Sequence, residues 1–88
     1  MSRFIVYHRT HAGDFDRAAE VEAKDLEAVF DLTNHGDRVW WSNDGVTMIG
    51  AGPRRSTSVG DQIEDTSAGE RWAVAGMGFE KVSEGSAR

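Results

Sequence analysis

The spacing of apolar residues changes abruptly at Lys24. Over residues 19–23, apolar and acidic residues alternate, which is typical of a strand with one buried and one exposed face. After Lys24 the spacing becomes three or four positions, at Leu26, Val29, Phe30 and Thr33. Such a stripe predicts a helix over about 24–34 that buries one face against a neighbouring sheet.

Short runs rich in β-branched and aromatic residues predict the remaining strands. They lie at residues 3–8, 46–49, 62–64, 71–75 and 79–82. We interpret residues 11–16 as a loop, and we expect Gly76 and Gly78 to bend or bulge the chain before the last strand. The predicted fold is therefore α+β, a mostly antiparallel sheet of four to five short strands with one helix packed on one face.

The length of the chain limits it to one domain with a small core. A chain of 88 residues buries about 60 to 65% of its unfolded surface. We assign residues 1–82 to this domain and residues 83–88 to a flexible tail. The chain has no cysteine, which excludes disulfides, thiolate nucleophiles and cysteine-rich zinc sites. With no export-type or membrane-length apolar run, this predicts a cytoplasmic protein outside the membrane.

The negative charge of the chain is concentrated in one segment. The formal net charge is -5, and residues 14–31 hold seven acids and two bases, which account for all of it. Such a segment would repel nucleic-acid phosphates and attract a basic protein. Asp25 and Asp31 are its representatives on the predicted helix. The alternative is a solvated helix face without a binding role.

The sequence contains no complete catalytic, cofactor or metal motif. His8 and His11 could approach a metal ion together, but residues three apart on an extended segment point to opposite faces, and His35 stands at no known ligand spacing. The hydroxyls of residues 56–58 lack an assignable base, and a turn with side-chain to backbone hydrogen bonds explains them more simply. We therefore assign no catalytic residue, metal or cofactor.

Two adjacent tryptophans, Trp40 and Trp41, form the most conspicuous local feature. In an extended segment their rings point to opposite sides, so we expect Trp40 to be buried and Trp41 to stay open to solvent. An exposed indole often anchors a protein partner, and Arg38 would belong to its polar rim. In the alternatives, the pair is a lid over a small core, or it stacks on bases beside Arg54 and Arg55.

The C-terminal third of the chain carries a longer motif. Arg55-Ser56-Thr57-Ser58-Val59-Gly60-Asp61 is followed by the strand Arg71-Trp72-Ala73-Val74 and then by Gly78-Phe79-Glu80-Lys81-Val82. Upstream, residues 26–35 contain the apolar stripe of the predicted helix followed by an Asn-His pair. These segments resemble the YodL-like domains of phages, plasmids and other mobile elements.

The resemblance implies a small accessory protein of a mobile element that acts in the cytoplasm of a bacterial or archaeal host. Such domains often occur beside antirestriction modules, and the resemblance implies no established catalytic activity. The motif also has a plain structural explanation. Gly60 allows a turn, while Ser58 and Asp61 can cap its backbone amides.

Three functions from different classes follow from these observations. The first is a non-enzymatic module that binds a host or phage protein through a surface at Trp40, Trp41, Arg38, Asp25 and Asp31. The second is an acidic mimic of nucleic acid that blocks a DNA-binding or restriction enzyme. The third is a hydrolase or transferase with an unrecognised site, which requires a deep pocket that gathers a histidine and a carboxylate.

Overall fold

A computed structural model describes residues 2–34, 40–50 and 55–82. Within these ranges the chain forms six strands, one α-helix and one 3₁₀ turn. They are β1 (Ser2–Arg9), β2 (Phe15–Ala23), α1 (Leu26–Thr33), the 3₁₀ turn (Trp40–Ser42), β3 (Val46–Met48), β4 (Gln62–Asp65), β5 (Glu70–Ala75) and β6 (Gly78–Lys81). The predicted α+β class is confirmed, with six strands in place of four to five. The predicted tail at 83–88 lies outside the described residues.

The strands form a single antiparallel sheet in the order β3-β2-β1-β4-β5-β6. β1 lies in the middle and pairs with β2 on one side and with β4 on the other. Val6, for example, stands opposite Ala19 of β2 and Ile63 of β4. The β1–β4 contact is therefore the seam that joins the first half of the chain to the β4-β5-β6 meander.

The core lies between α1 and the middle of the sheet. Residues directly opposite each other in a sheet share a face, which places Phe4 with Val21 and Val6 with Ile63 on the side that faces the helix. All four side chains are buried, as are Val29 of the helix and Trp40. The hydrophobic contacts between these layers are the main source of stability in a domain of this size.

The helix begins one residue after its cap and ends at Thr33, inside the predicted range of 24–34. Asp25 has extended backbone angles, and its carboxylate accepts a hydrogen bond of 2.9 Å from the Ala28 amide. A side-chain acceptor at this position satisfies a helix amide that has no partner within the helix. Of the predicted stripe, Val29 and Thr33 are fully buried, whereas Leu26 and Phe30 are half-buried.

One prediction about the connections needs correction. Residues 15 and 16 were expected in a loop but belong to β2, because β1 continues to Arg9 and the Arg9–Phe15 pair closes the β1–β2 ladder. Gly76 and Met77 form a tight turn between β5 and β6, at the place where a bend or bulge before the last strand was expected. Gly78 closes this turn at a φ of 89°, which is a left-handed conformation that glycine adopts without steric cost.

The face of the sheet turned away from α1 is covered by no helix in the described ranges. Tyr7 lies there beneath Arg71, whose guanidinium carbon is 3.7 Å from the ring centre. The Tyr7 hydroxyl donates a 2.8 Å hydrogen bond to Glu64, and burial, followed by this bond, raises the pKa of Tyr7. Arg3 and Glu20 form an exposed ion pair on the same face. Positive and negative side chains alternate here, so this face has no dominant charge.

Candidate functional site

A groove runs between α1 and the β5–β6 half of the sheet. The helix lies over β2 and the centre of the sheet, so the inner faces of β5 and β6 are only partly covered, and Trp72 and Phe79 remain half-buried. Phe30 of the helix meets Phe79 edge to face, with 6.4 Å between the ring centres. The groove is thus a consequence of one short helix packing on a sheet of six strands.

The part of the groove next to the β5–β6 turn has a volume of about 400 Å³. Phe30, Val74 and Phe79 form its floor, and Val59 stands at its side with 64% of its surface exposed. Met77, at the tip of the turn, is 97% exposed. Together with the floor, these two side chains place exposed apolar surface at this end of the groove.

The groove continues towards the start of the helix as a second, shallower depression of about 450 Å³. Glu27 and Phe79 line both parts, which makes the two depressions continuous. Leu26 and Trp72 supply apolar surface in the second part. The carboxylates that line the whole groove come from both of its sides: Asp25, Glu27, Asp31, Asp65 and Glu70.

Three of these five carboxylates already form hydrogen bonds or an ion pair within the domain. Asp25 caps the helix, Asp65 accepts hydrogen bonds from the backbone amides of the turn that follows it, and Glu70 pairs with Lys81 at 3.0 Å. In the described part of the chain, the carboxylates of Glu27 and Asp31 accept no hydrogen bond and form no ion pair, and both residues are exposed on the helix. These two are the carboxylates that a basic ligand would meet first.

The residues proposed from the sequence are divided between this groove and a different region. Asp25 and Asp31 both line the groove, although Asp25 also caps the helix. Arg38 lies outside the described residues. Val59 and Phe79, which build the apolar part of the groove, were not predicted to have this role. Val59 and Phe79 are twenty residues apart and meet at the groove only after folding, so no local spacing in the sequence predicts it.

Trp40 is part of the core and belongs to no outer surface. Its side chain is 1% exposed, and its Nε1 donates a 2.9 Å hydrogen bond to the backbone carbonyl of Arg55. Trp41 is half-buried and packs edge-on against Trp40, with the ring centres 5.3 Å apart. The two rings occupy a 3₁₀ turn rather than an extended segment. Of this pair, only Trp41 therefore offers surface to a partner.

The motif at residues 55–61 is held by a buried carboxylate. Asp61 is 1% exposed, and its two oxygens accept one hydrogen bond each, both of 2.7 Å, from the guanidinium of Arg55. The same carboxylate accepts bonds of 2.8 Å from the amides of Arg9 and Ser58. The predicted capping by Asp61 is thus present at the Ser58 amide, and Gly60 has the predicted turn conformation with a φ of 99°.

These contacts determine the charge state of Asp61. Burial alone would raise its pKa, but the Arg55 guanidinium and the two amides lower it below the ordinary value of 3.8. Asp61 is therefore a carboxylate at neutral pH. Because its oxygens are fully engaged and enclosed, it is suited to holding the loop in place rather than to proton transfer.

Thr57 connects this loop to the sheet and to the end of the helix. Its hydroxyl lies 3.0 Å from His8 Nε2, and both residues are buried. Its backbone amide donates to the Thr33 carbonyl at 2.9 Å, and its carbonyl accepts a hydrogen bond from the Asn34 side chain. The His8–Thr57 pair has a geometry that a nucleophile and base could share, but enclosure keeps a substrate from the hydroxyl.

The histidines considered as metal ligands are not brought together. His8 packs edge-on against Trp40 inside the protein, whereas His11 is exposed in the β1–β2 turn. His35 lies outside the described residues. No cluster of three or more histidine, aspartate or glutamate side chains that could hold a metal ion occurs in residues 2–34, 40–50 and 55–82.

Comparison with known proteins finds no match among protein-family models, curated proteins or solved structures. In the part of the chain that the structure describes, no helix has the length and apolar character needed to cross a bilayer. Among the described residues, the groove is the feature that best supports a functional interpretation, because its apolar floor lies beside two carboxylates that have no partner there.

Proposed function

We propose that this protein is a non-enzymatic binding module whose groove beside α1 holds a basic segment of another protein. The observation that carries the proposal is the placement of Glu27 and Asp31, both without a partner in the described residues, above an apolar floor that includes Phe30 and Phe79. A ligand that fits such a site combines positive charge with apolar surface. Arginine and lysine side chains do so by themselves.

The two components of the groove have different roles in binding. An exposed ion pair contributes at most about 1 kcal/mol, so Glu27 and Asp31 alone do not produce a stable complex. Apolar area removed from water contributes roughly 25 cal/mol per Å², which makes the floor around Phe79 the main source of affinity. The carboxylates then select for basic ligands and accelerate their association.

We propose that this module is an accessory protein of a phage, plasmid or other mobile element and acts in the cytoplasm of its host. This part of the proposal is based on the resemblance of residues 55–82 to YodL-like domains. Its partner is then a host or phage protein with an accessible basic segment. Direct binding of nucleic acid is disfavoured, because Glu27 and Asp31 would repel the phosphates.

The arrangement of the acids supports protein binding over mimicry of nucleic acid. Glu20 and Glu22 stand opposite Ile5 and Arg3, on the face of the sheet turned away from the helix. The acids of residues 14–31 are thus distributed over two faces, whereas a mimic of nucleic acid requires one continuous array of negative charge. The antirestriction role is therefore not proposed.

The experiment that tests the proposal is a selection of displayed random peptides on the folded protein, followed by calorimetric measurement of Kd for the enriched sequences. We expect the enriched peptides to combine basic and apolar residues. Reversing both free carboxylates, with Glu27→Lys and Asp31→Lys, should weaken their binding by about ten-fold or more, which is the loss of two charge contacts and the gain of repulsion.

The matched control is the double variant Asp14→Lys and Asp16→Lys. It changes the net charge by the same amount at two exposed residues of the same acidic segment that do not line the groove. It should bind the peptides almost as tightly as the parent protein. Equal weakening by the two double variants, or a selection without enrichment of basic residues, would refute the groove as the binding site.

A further inference from the structure

β6 ends the sheet beside the groove, and its outer edge is free in the described part of the chain. In the β5–β6 hairpin, Ala75 stands opposite Gly78 across a two-residue turn, and Val82 donates to the Arg71 carbonyl at 2.8 Å. Antiparallel ladders alternate between bonded and non-bonded pairs. Residues 78, 80 and 82 therefore pair with β5, so the N–H and C=O groups of Phe79 and Lys81 point away from the sheet.

The free edge and the groove meet at Phe79. The Phe79 side chain lies on the helix side of the sheet and contacts Phe30, while its backbone groups point outwards along the sheet. A strand added next to β6 would extend the floor of the groove. Alternate side chains of that strand would face α1, where the carboxylates of Glu27 and Asp31 have no partner among the described residues.

We propose that the partner segment binds as an extended strand against β6, with arginine or lysine at the alternate positions that face α1. The aliphatic stems of these side chains cover Phe30 and Phe79, and their charged heads reach Glu27 and Asp31. Backbone pairing supplies affinity, and the alternate side chains supply specificity, as in other cases of strand addition. This inference rests on the proposed function and specifies the conformation and spacing of the ligand.

A second copy of this chain fits the edge less well than a basic segment. A second β6 would bring only one basic side chain, Lys81, to the helix side of the sheet, and in the described structure Lys81 is already paired with Glu70 at 3.0 Å. The edge is also only four residues long, from Gly78 to Lys81, which limits pairing between identical protein edges.

The test uses the capped peptide Gly-Arg-Thr-Arg-Thr-Arg-Gly as a probe in an NMR titration of the amide resonances of the full chain. We expect shifts at Phe79 and Lys81, because their amides gain hydrogen bonds. Methylating the backbone nitrogens of the two threonines or, in a separate peptide, those of the three arginines tests both strand directions. Arginines that face α1 pair with Phe79 and Lys81 through their own amides in an antiparallel strand, whereas the threonine amides pair in a parallel strand. The methylation that removes the pairing donors should weaken binding by about ten-fold, since it deletes hydrogen bonds without changing side chains.

A second control peptide is the isomer Gly-Arg-Arg-Arg-Thr-Thr-Gly, which has the same composition and charge but no alternation of arginine and threonine. We expect it to bind about ten-fold more weakly than the alternating peptide.

The protein variants Lys81→Pro and Lys81→Ala form a matched pair. Both remove the ion pair with Glu70, but only proline removes the outward N–H group, and an edge strand tolerates proline at such a position. Both variants also free Glu70 in the groove, so we expect Lys81→Ala to bind the peptide at least as well as the parent and Lys81→Pro to bind it clearly more weakly than Lys81→Ala. Circular dichroism and the amide spectrum report whether each variant keeps the fold.

The possible results separate this inference from the proposed function. Strand addition is overturned if both methylated peptides bind as tightly as the unmethylated one, or if the two Lys81 variants bind the peptide equally. Either result leaves a groove that recognises side chains alone. Strand addition is also overturned if the alternating peptide does not bind while display-selected peptides still bind the groove. Failure of all basic peptides overturns both proposals. Concentration-dependent dimerisation in sedimentation, abolished by Lys81→Pro, would assign the edge to a second copy instead.

Discussion

Arg55 and Asp61 form a bidentate ion pair in which Nη1 and Nη2 of the arginine lie 2.7 Å from Oδ2 and Oδ1 of the aspartate. Arg55 also donates to the Arg9 carbonyl at 3.0 Å, and Asp61 accepts from the Arg9 amide. The pair therefore binds both backbone groups of the last residue of β1. Through it, the segment that leads into β4 is attached to the centre of the sheet before β4 itself begins.

Removing Arg55 should destabilise the domain. Arg55→Ala leaves the Asp61 carboxylate enclosed without its counter-charge. We expect the free energy of unfolding to fall by about 2 to 3 kcal/mol, less than for a fully enclosed pair, because nearly half of the Arg55 side chain is exposed. Urea denaturation measures the loss. Arg9→Ala is the control, since the exposed Arg9 contributes to this cluster through its backbone only. Equal loss in the two variants would contradict the assigned role of the ion pair.

The Asp61 carboxylate should also make stability depend on pH in the acidic range. Its pKa in the folded protein lies below the ordinary value of 3.8, so the unfolded chain takes up the proton first as the pH falls. The stabilising contribution is complete above pH 3.8 and is lost progressively as the pH falls towards the folded-state pKa. The urea midpoint of the parent should therefore decline in this window. Asp61→Asn, which does not titrate, should show a flatter profile there, and identical profiles would refute the prediction.

The two neighbouring tryptophans should differ in their access to a quencher. In variants that keep only one of them, with the other and Trp72 replaced by phenylalanine, acrylamide should quench Trp41 efficiently and Trp40 weakly. The reason is that the Trp40 side chain is only 1% exposed, whereas Trp41 is half-buried. Trp40→Phe should also cost about 2 kcal/mol, because it opens a cavity and leaves the Arg55 carbonyl unpaired. Equal quenching would mean that Trp40 is not the buried ring.

Replacing Phe30 by alanine should have a moderate effect on stability. A fully buried phenylalanine costs about 3 to 5 kcal/mol when truncated. Phe30 is half-buried at the groove, so we expect about 1.5 to 2.5 kcal/mol, mainly from the contact with Phe79. Thermal or urea unfolding measures this. Asp31→Ala, at the exposed neighbouring position, should unfold like the parent, and a Phe30→Ala protein that also did so would contradict the packing of α1.

The helix was predictable because its signal is local. The change of period at Lys24 and the buried Val29 and Thr33 belong to one continuous segment of sequence. The seam between β1 and β4 has no such signal, since Tyr7 and its hydrogen-bond partner Glu64 are 57 positions apart. The extension of β2 to Phe15 was missed for the same reason. It depends on how far the partner strand continues, not on the residues of the loop.

The candidate site was predictable only where charge indicated it. Asp25 and Asp31 were identified from the density of acids, and both line the groove. Its apolar part combines Val59 from the loop before β4 with Phe79 from β6, and no spacing in the sequence relates these two. Trp40 was expected to be the buried ring of the tryptophan pair, and it is 1% exposed. The carbonyl of Arg55 that receives its N–H group became visible only in the folded chain.

The central position of β1 has a consequence for biosynthesis. β1 is made first, and β2 soon protects one of its edges, but the other edge pairs only with β4, which the ribosome adds more than fifty residues after β1. A nascent chain released before Gln62 would therefore expose an open edge in the middle of its sheet, with the buried side of Val6 deprived of Ile63. Unpaired edges of this kind promote aggregation. We expect chains truncated after Gly50 to precipitate when synthesised alone and to remain in solution when residues 55–82 are supplied together with them.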